Sequence, residues 1–291
     1  MLTRGARAGQ SALYPGPGPA SMTRDLSLDL EVLFRITGTV EGVVREVSHS
    51  PHRADVVGMG ASGSPTERID QVAERAVLAC LDAEGVDWDF LSEEIGLVHR
   101  GGGRLLVVDP IDGSYNALHE LPFASISMAL GKDTLESVEL GVVHDLYRRT
   151  TYWAERSRGA YRDGRAIHVR PWNPRADLVF LNMARHTTDR AVERARRARR
   201  VRALGCASLE IALVAEGAGD AYLFDNRTDS LNLRATDIAA GYRILLEAGG
   251  GIADAEGKPV ADFPLTVSQR TSLHAWGDPA WAKATWERGT P

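Results

Sequence analysis

The chain has 291 residues, 44% hydrophobic and 25% charged, which excludes a disordered or fibrous protein and suffices to bury a large core without disulfides. Its 34 basic and 39 acidic residues leave a formal charge of −5, which gives no general affinity for nucleic acid or an anionic membrane. No apolar run approaches the roughly 18 residues that span a bilayer, and the two cysteines, Cys80 and Cys206, suit a reducing cytoplasm better than a secreted disulfide scaffold.

Residues 1–21 are rich in Gly, Pro and small side chains and lack the apolar core of a secretory signal, so a disordered extension is expected, with Met22 as an alternative start. From Asp25 to about His49, Leu30, Leu33, Ile36, Val40, Val43, Val44 and Val47 recur at helical spacing. A flexible loop over Gly58–Gly63 follows. The next helix is expected to open with Ser64 as N-cap, Pro65 at its first position and Glu67 closing a capping box, and to run to Glu84. Strands are predicted at Asp87–Ser92, Arg104–Asp109, Ser125–Leu130, Ser137–Leu146 and Thr150–Ala154.

A second cycle begins near Asp177, with a strand at Leu178–Met183, an Arg-rich helix, a short strand, a helix at Ser208–Gly217 and a strand at Ala221–Asp225. A helix over Asp237–Ala248 stops at Gly249-Gly250-Gly251, and a last strand leads to a Trp-bearing helix, Pro279–Arg288. This order predicts an α/β protein of layered sheets and helices in two halves, 22–172 and 173–291, joined near Pro171 and Pro174.

The run Val107-Val108-Asp109-Pro110-Ile111-Asp112-Gly113-Ser114-Tyr115-Asn116 concentrates the chemistry. An apolar strand runs out at Asp109, and Pro110, which has no N–H, should stop its ladder. Asp112 follows one tight turn later, Gly113 lets backbone approach a ligand, and the next residues can open a short helix whose free N–H groups favour an anion. Two carboxylates beside an anion site repel it unless a hard divalent cation intervenes, as Mg2+ does between carboxylates and phosphate. Alone, Asp-Pro and Asp-Gly could equally mark a plain turn. Glu93 and Glu94 end another predicted strand sixteen residues upstream, and Asp237 sits at a helix start beside Thr236, a good N-cap, in Arg234-Ala235-Thr236-Asp237-Ile238-Ala239-Ala240-Gly241.

E-E, then D-P-I-D-G-S-x-N, then T-D-I-A-A-G before a helix ending E-A-G-G resembles the inositol monophosphatase family, and within it the archaeal-type fructose-1,6-bisphosphatase/inositol-1-monophosphatase branch. The supporting stretches are P-T-E-R-I-D (65–70), L-P-F-A-S-I-S-M-A-L (121–130), G-V-V-H-D (141–145), R-G-A-Y-R-D-G (158–164) and G-C-A-S-L-E (205–210), in family order from about residue 25 onward.

The resemblance implies a layered α-β-α-β-α sandwich and a Mg2+-dependent phosphomonoesterase with two or three ions, Mn2+ being an alternative. Glu93, Asp109 and the Ile111 carbonyl would hold one ion, and Asp109, Asp112 and Asp237 a second. The N–H groups of Gly113 and Ser114 would receive phosphate, while Asp70 and the Ser114 hydroxyl would orient the attacking water. Two closely spaced cations can neutralise the phosphoryl oxygens and stabilise the leaving alkoxide, so no covalent nucleophile is needed. The Gly58–Gly63 loop resembles the family's mobile loop, but carries Gly58-Met59-Gly60 where relatives often have a Lys or an acid.

Asp112, Cys206 and Ala207, with Asp225 and Arg227, fall in segments that the resemblance sets against the sugar. The expected substrate is a phosphorylated sugar or polyol, foremost fructose-1,6-bisphosphate and inositol-1-phosphate, and a homodimer is expected by analogy. A sibling phosphatase acting on 3′-phosphoadenosine-5′-phosphate or histidinol phosphate is one alternative. A weakly catalytic scaffold for RNA or protein is another, supported only by the eight arginines of segment 185–202. Without interleaved aromatics that run reads as a solvated helix face, and nucleic acid is not expected. His49 and His52 make no zinc set, and Gly101-Gly102-Gly103 precedes a strand, so it is not a nucleotide-binding loop.

Overall fold

A computed structural model describes residues 27–228 and 232–286. The extension 1–21, the first residues of the helix expected from Asp25 and the end of the helix expected to reach Arg288 lie outside the described residues.

The first helix, α1 (Leu28–Ser48), is capped by the Ser27 hydroxyl and buries Leu30, Leu33, Ile36, Val40 and Val44 along one stripe. The loop expected at 58–63 is the turn of a hairpin, β1 (Val56–Met59) and β2 (Pro65–Glu67), in which Met59 pairs with Pro65. Ser64 and Pro65 therefore do not start a helix: α2 (Arg68–Glu84) begins after the hairpin. The N–H groups of Arg68 and Ile69 donate to the Asp55 and Arg53 carbonyls at 3.0 and 3.2 Å, which replaces the capping box. Pro65 suits this two-stranded edge because it has no N–H to offer.

Next come β3 (Asp89–Ser92), β4 (Gly96–Val98) and β5 (Leu105–Asp112), then the short helix α3 (Ser114–Leu118) and β6 (Ser125–Gly131). The strand expected over 137–146 is divided, a 3-10 turn at Leu135–Ser137 preceding β7 (Leu140–Asp145). β8 (Thr150–Glu155), β9 (Gly159–Arg162) and β10 (Arg165–Ile167) complete an eight-stranded sheet ordered β10-β9-β8-β7-β6-β5-β3-β4.

The smaller sheet starts with β11 (Leu178–Leu181), followed by α4 (Asp189–Arg196), β12 (Arg200–Arg202), α5 (Ala207–Ala215), β13 (Ala221–Phe224), α6 (Ala235–Glu247), β14 (Gly251–Ala253), β15 (Leu273–Trp276) and α7 (Pro279–Trp286). Its order is β12-β11-β13-β15-β14. The layers are α1 and α2, the large sheet, α5 and α6, the small sheet, then α4 and α7. Every residue of α5 is buried, as a helix packed between two sheets requires, and its sequence is apolar on all sides apart from Ser208 and Glu210. Three apolar clusters fill the interfaces, the largest between the sheets around α5 and α6.

Candidate active site

β5 is buried on both faces and does not end at Pro110. Asp109 pairs with Ser127 and Asp112 with Ser125, so β5 fits one extra residue against β6. Residues three apart on a regular strand face opposite sides; the bulge brings both aspartates into one cleft. Pro110 is tolerated because a bulge leaves a residue outside the ladder.

The cleft, of about 210 Å3, is lined by Asp70, Glu93, Asp109, Asp112 and Asp237 together with Glu74, Glu94 and the 110–114 backbone. Glu93, Asp109 and Asp237 each offer a carboxylate oxygen within 4.8 Å of the others. They come from the end of β3, the bulge of β5 and the first turn of α6, so three separate segments meet.

Asp112 lies against the N-terminus of α5, where its Oδ2 accepts from Ser208 N and Ser208 Oγ at 2.6 and 2.7 Å and its Oδ1 from Ala207 N at 3.2 Å. Asp109 Oδ1 accepts from Ile111 N at 3.0 Å, and Asp237 Oδ2 from Arg234 N at 2.7 Å. Ser114 Oγ donates to the Ile111 carbonyl at 2.8 Å and stands 3.2 Å from Asp70 Oδ1, to which its one proton can turn instead. Gly113 caps α3 at φ +88°, and a Cβ there would stand 2.8 Å from the Phe123 carbonyl oxygen. Only glycine fits both conditions.

Electrostatically the cleft is short of positive charge. Burial, then the neighbouring acids, push Asp109 and Asp237 well above the usual carboxylate range. Burial raises Asp112 despite its hydrogen bonds, and burial with Glu67 and Glu94 pushes Asp70 up to about 7. Hard oxygen donors this crowded and this reluctant to ionise fit divalent cations, which would supply the missing charge.

Arg234 supplies part of it. This buried guanidinium pairs with Glu93 Oε2, and its other nitrogen reaches Ser62 O and Ser64 Oγ at 3.3 and 3.4 Å. It is also the N-cap of α6, a place that Thr236 was expected to take; Thr236 Oγ1 instead donates to Glu93 Oε1 at 3.2 Å. Arg234, Glu74 and Thr66 were not singled out in the sequence, although Arg234 stands within the quoted R-A-T-D run and Thr66 within P-T-E-R-I-D. Thr66 donates to Glu94, and Glu74 Oε1 accepts from Glu94 N at 3.1 Å.

Of the five candidate sugar contacts Asp112 lines the cleft, and the other four stand elsewhere. Cys206 is buried behind Asp112, its Sγ 3.1 Å from Ser125 Oγ and 3.3 Å from the Asp112 carbonyl, and Ala207 holds Asp112 through its N–H. Asp225 is buried, with Thr188 Oγ1 at 2.6 Å and Arg190 Nε at 2.9 Å, and Arg227 pairs with Asp189 at 2.8 Å. None of the four lines the cleft. Of the eight arginines of segment 185–202, Arg190 also meets Glu256, Arg194 donates to the Ala255 carbonyl and Arg197 to the Thr285 carbonyl, while Arg185, Arg196, Arg199, Arg200 and Arg202 are exposed, as a solvated face requires.

A five-layer α-β-α-β-α frame with clustered carboxylates beside a glycine-capped helix defines a phosphoric monoester hydrolase of the metal-dependent sugar-phosphatase kind. The comparisons place it more closely. Residues 25–288 match the inositol monophosphatase family, and the chain belongs to it. The fructose-1,6-bisphosphatase/inositol-1-monophosphatase of Methanothermobacter thermautotrophicus is 35% identical over 260 residues, covering 85% of this chain and 91% of that protein. The bifunctional NADP phosphatase/NAD kinase of Methanococcus maripaludis is 33% identical over 84% of this chain but only 46% of its own length. Among solved structures, an inositol monophosphatase–fructose 1,6-bisphosphatase superposes with a TM-score of 0.76 at 29% identity, covering 89% of this chain and 98% of that one.

Proposed function

We propose that the enzyme is a Mg2+-dependent phosphatase of sugar or polyol phosphates, with fructose-1,6-bisphosphate and inositol-1-phosphate as its foremost substrates. The observation that carries this reading is the meeting of Glu93, Asp109 and Asp237 beside Asp112 and the Gly113–Ser114 turn. Glu93, Asp109 and the Ile111 carbonyl would hold one ion, and Asp109, Asp112 and Asp237 another. Bound there, the cations supply charge against the phosphoryl oxygens and the departing alkoxide. Mn2+ would substitute.

The chain's own groups do the rest. The N–H groups of Gly113 and Ser114 receive a phosphate oxygen as α3 begins. Ser114 Oγ, 3.2 Å from Asp70 Oδ1, orients the attacking water together with that carboxylate. Asp70, pushed up to about 7 mainly by burial in the cation-free cleft, would be lowered by bound cations and so face the water as a carboxylate acceptor. Both halves are needed, since 22–172 carries the β3, β5 and α3 groups and 173–291 adds Asp237. The free cysteines fit a cytoplasmic setting, and the family resemblance favours a homodimer.

A sibling activity is the second reading, favoured by the identity to the protein named as an NADP phosphatase. Phosphate release from fructose-1,6-bisphosphate, inositol-1-phosphate, NADP, 3′-phosphoadenosine-5′-phosphate and histidinol phosphate, with Mg2+ and with excess chelator, separates the two. Undiminished turnover in chelator would overturn the metal-dependent mechanism. The alternative of an RNA- or protein-binding scaffold rests on the Arg segment alone, whose exposed arginines read as a solvated face, and the intact acidic cluster opposes it.

A further inference from the structure

A second cavity, of about 310 Å3, opens between α1 and the β7–β10 part of the large sheet. It shares no residue with the carboxylate cleft. Its apolar wall is Phe34 and Trp153, whose rings meet edge to face at 6.2 Å; Tyr161 stacks on Trp153 at 4.3 Å and fixes the indole. The polar groups are Glu41 from α1, His144 from β7, Thr151 from β8 and Asp163 from the β9–β10 turn.

Three of these groups present acceptors. His144 is 5% exposed; its Nδ1 is 2.9 Å from Thr151 Oγ1, while its Nε2 has no hydrogen-bond partner and stands 3.7 Å from Glu41 Oε2. A hydroxyl serves either imidazole tautomer, so Nε2 can take an acceptor role when a donor enters between it and Glu41. Glu41 Oε1 is taken by Arg149 Nε at 2.6 Å, and Oε2 remains turned toward the histidine. Asp163 accepts from Thr151 N through Oδ1, with Oδ2 3.9 Å from Arg162. Around His144 stand Glu41, Asp145 and Asp163, which face Arg149, Arg148 and Arg162 respectively, and burial, the largest influence, lowers the pKa of the ring.

We propose that this cavity is a binding site for a small primary amine on an aromatic or short apolar stem. The ammonium would donate to His144 Nε2, Glu41 and Asp163 while its stem lies against Phe34 and Trp153. A buried polar atom without a partner is costly, and an ammonium brings three donors to a pocket rimmed by Glu41 Oε2, Asp163 and the imidazole. Aromatic faces add attraction for a cation, and the volume is at the small end of ligand pockets.

The test is isothermal titration calorimetry of the full chain with phenethylamine, with 2-phenylethanol and phenylacetate as neutral and anionic counterparts. Saturable one-to-one binding of the amine is expected, at least tenfold weaker for the alcohol and absent for the acid. Asp163→Asn removes only charge, because Asn tolerates the φ of +47° and keeps the acceptor for Thr151 N; it should weaken the amine severalfold. His144→Phe should abolish binding, and both variants should retain the phosphatase activity of the parent. Equal affinity for amine and alcohol, binding unchanged in both variants, or a face closed by a second copy of the chain would overturn the proposal.

Discussion

Asp112 accepts three hydrogen bonds from the start of α5, so Asp112→Asn turns one acceptor oxygen into an NH2 facing N–H donors. The substitution also removes a charge from the cleft. Phosphate release should fall on the order of 10²–10³-fold, with a stability cost of about 1–3 kcal/mol for the mismatched donor. Steady-state assays beside thermal melts check both numbers, and a variant that melts like the parent but turns over normally would remove Asp112 from the site. Gly113→Ala tests backbone rather than charge. Its Cβ would meet the Phe123 carbonyl oxygen at 2.8 Å in a left-handed conformation, so the turn must shift. The expected loss is about 1–3 kcal/mol together with a raised KM for substrate, because the N–H groups of the turn move with it.

At the scale of elements, the hairpin β1–β2 is a structural part of the cleft. Ala61 N and Ser62 N donate to the Glu94 and Glu93 carbonyls, each at 2.9 Å, and a Cβ on Gly60 would overlap the Glu94 carboxylate. Gly60→Ala should displace the Glu93–Glu94 turn, costing about 1–3 kcal/mol as overpacking does and raising the Mg2+ concentration needed for half-maximal activity. A melt with a Mg2+ titration of activity decides it; unchanged metal demand would show that the hairpin merely covers the cleft. This element also marks what could be read from sequence. The periodic helices and the apolar strands were legible because their patterns are local. The acids Glu93, Asp109, Asp112 and Asp237 were legible only in combination, in the motif order that resembles the family, since each alone reads as a plain strand end, turn or helix start. The hairpin was not, since Ser64-Pro65 with Glu67 is as good a helix start as a sequence can offer, and only the Arg53 and Asp55 carbonyls moved the first turn to Arg68. Arg234 escaped for a related reason: a lone arginine in an Arg-rich chain gives no sign that it is buried against a carboxylate from 141 residues away. Asp225 at a strand end reads slightly better as a turn residue than as a sugar contact, and the structure gives it Thr188 and Arg190 as partners.

For the whole molecule, the crowded carboxylates tie folding to both protons and cations. Asp70 and Glu74 are each pushed up to about 7, chiefly by burial, and Asp109 and Asp237 stand well above the carboxylate range. For an acid raised in the folded state, the native protein holds its proton longer than the unfolded chain does. Its contribution to stability is therefore complete below the unfolded value, near 4, and is lost as pH rises through the folded value. In chelator the melting temperature should fall progressively from about pH 4 to beyond pH 7. A bound cation reverses the preference, because it stabilises the ionised carboxylates only where they converge, and binding to the folded state alone raises stability with ligand concentration. The rise in melting temperature on adding Mg2+ should accordingly be small at pH 5 and several degrees larger at pH 8. Asp237→Asn, which withdraws one raised acid and one oxygen donor, should flatten both the pH dependence in chelator and the response to Mg2+. Melts of the parent and this variant across pH 4–8, with and without Mg2+, provide the comparison. A parent protein whose stability in chelator rises from pH 5 to 8 would mean that the acids are already neutralised from within the fold, leaving no charge deficit for a cation to fill.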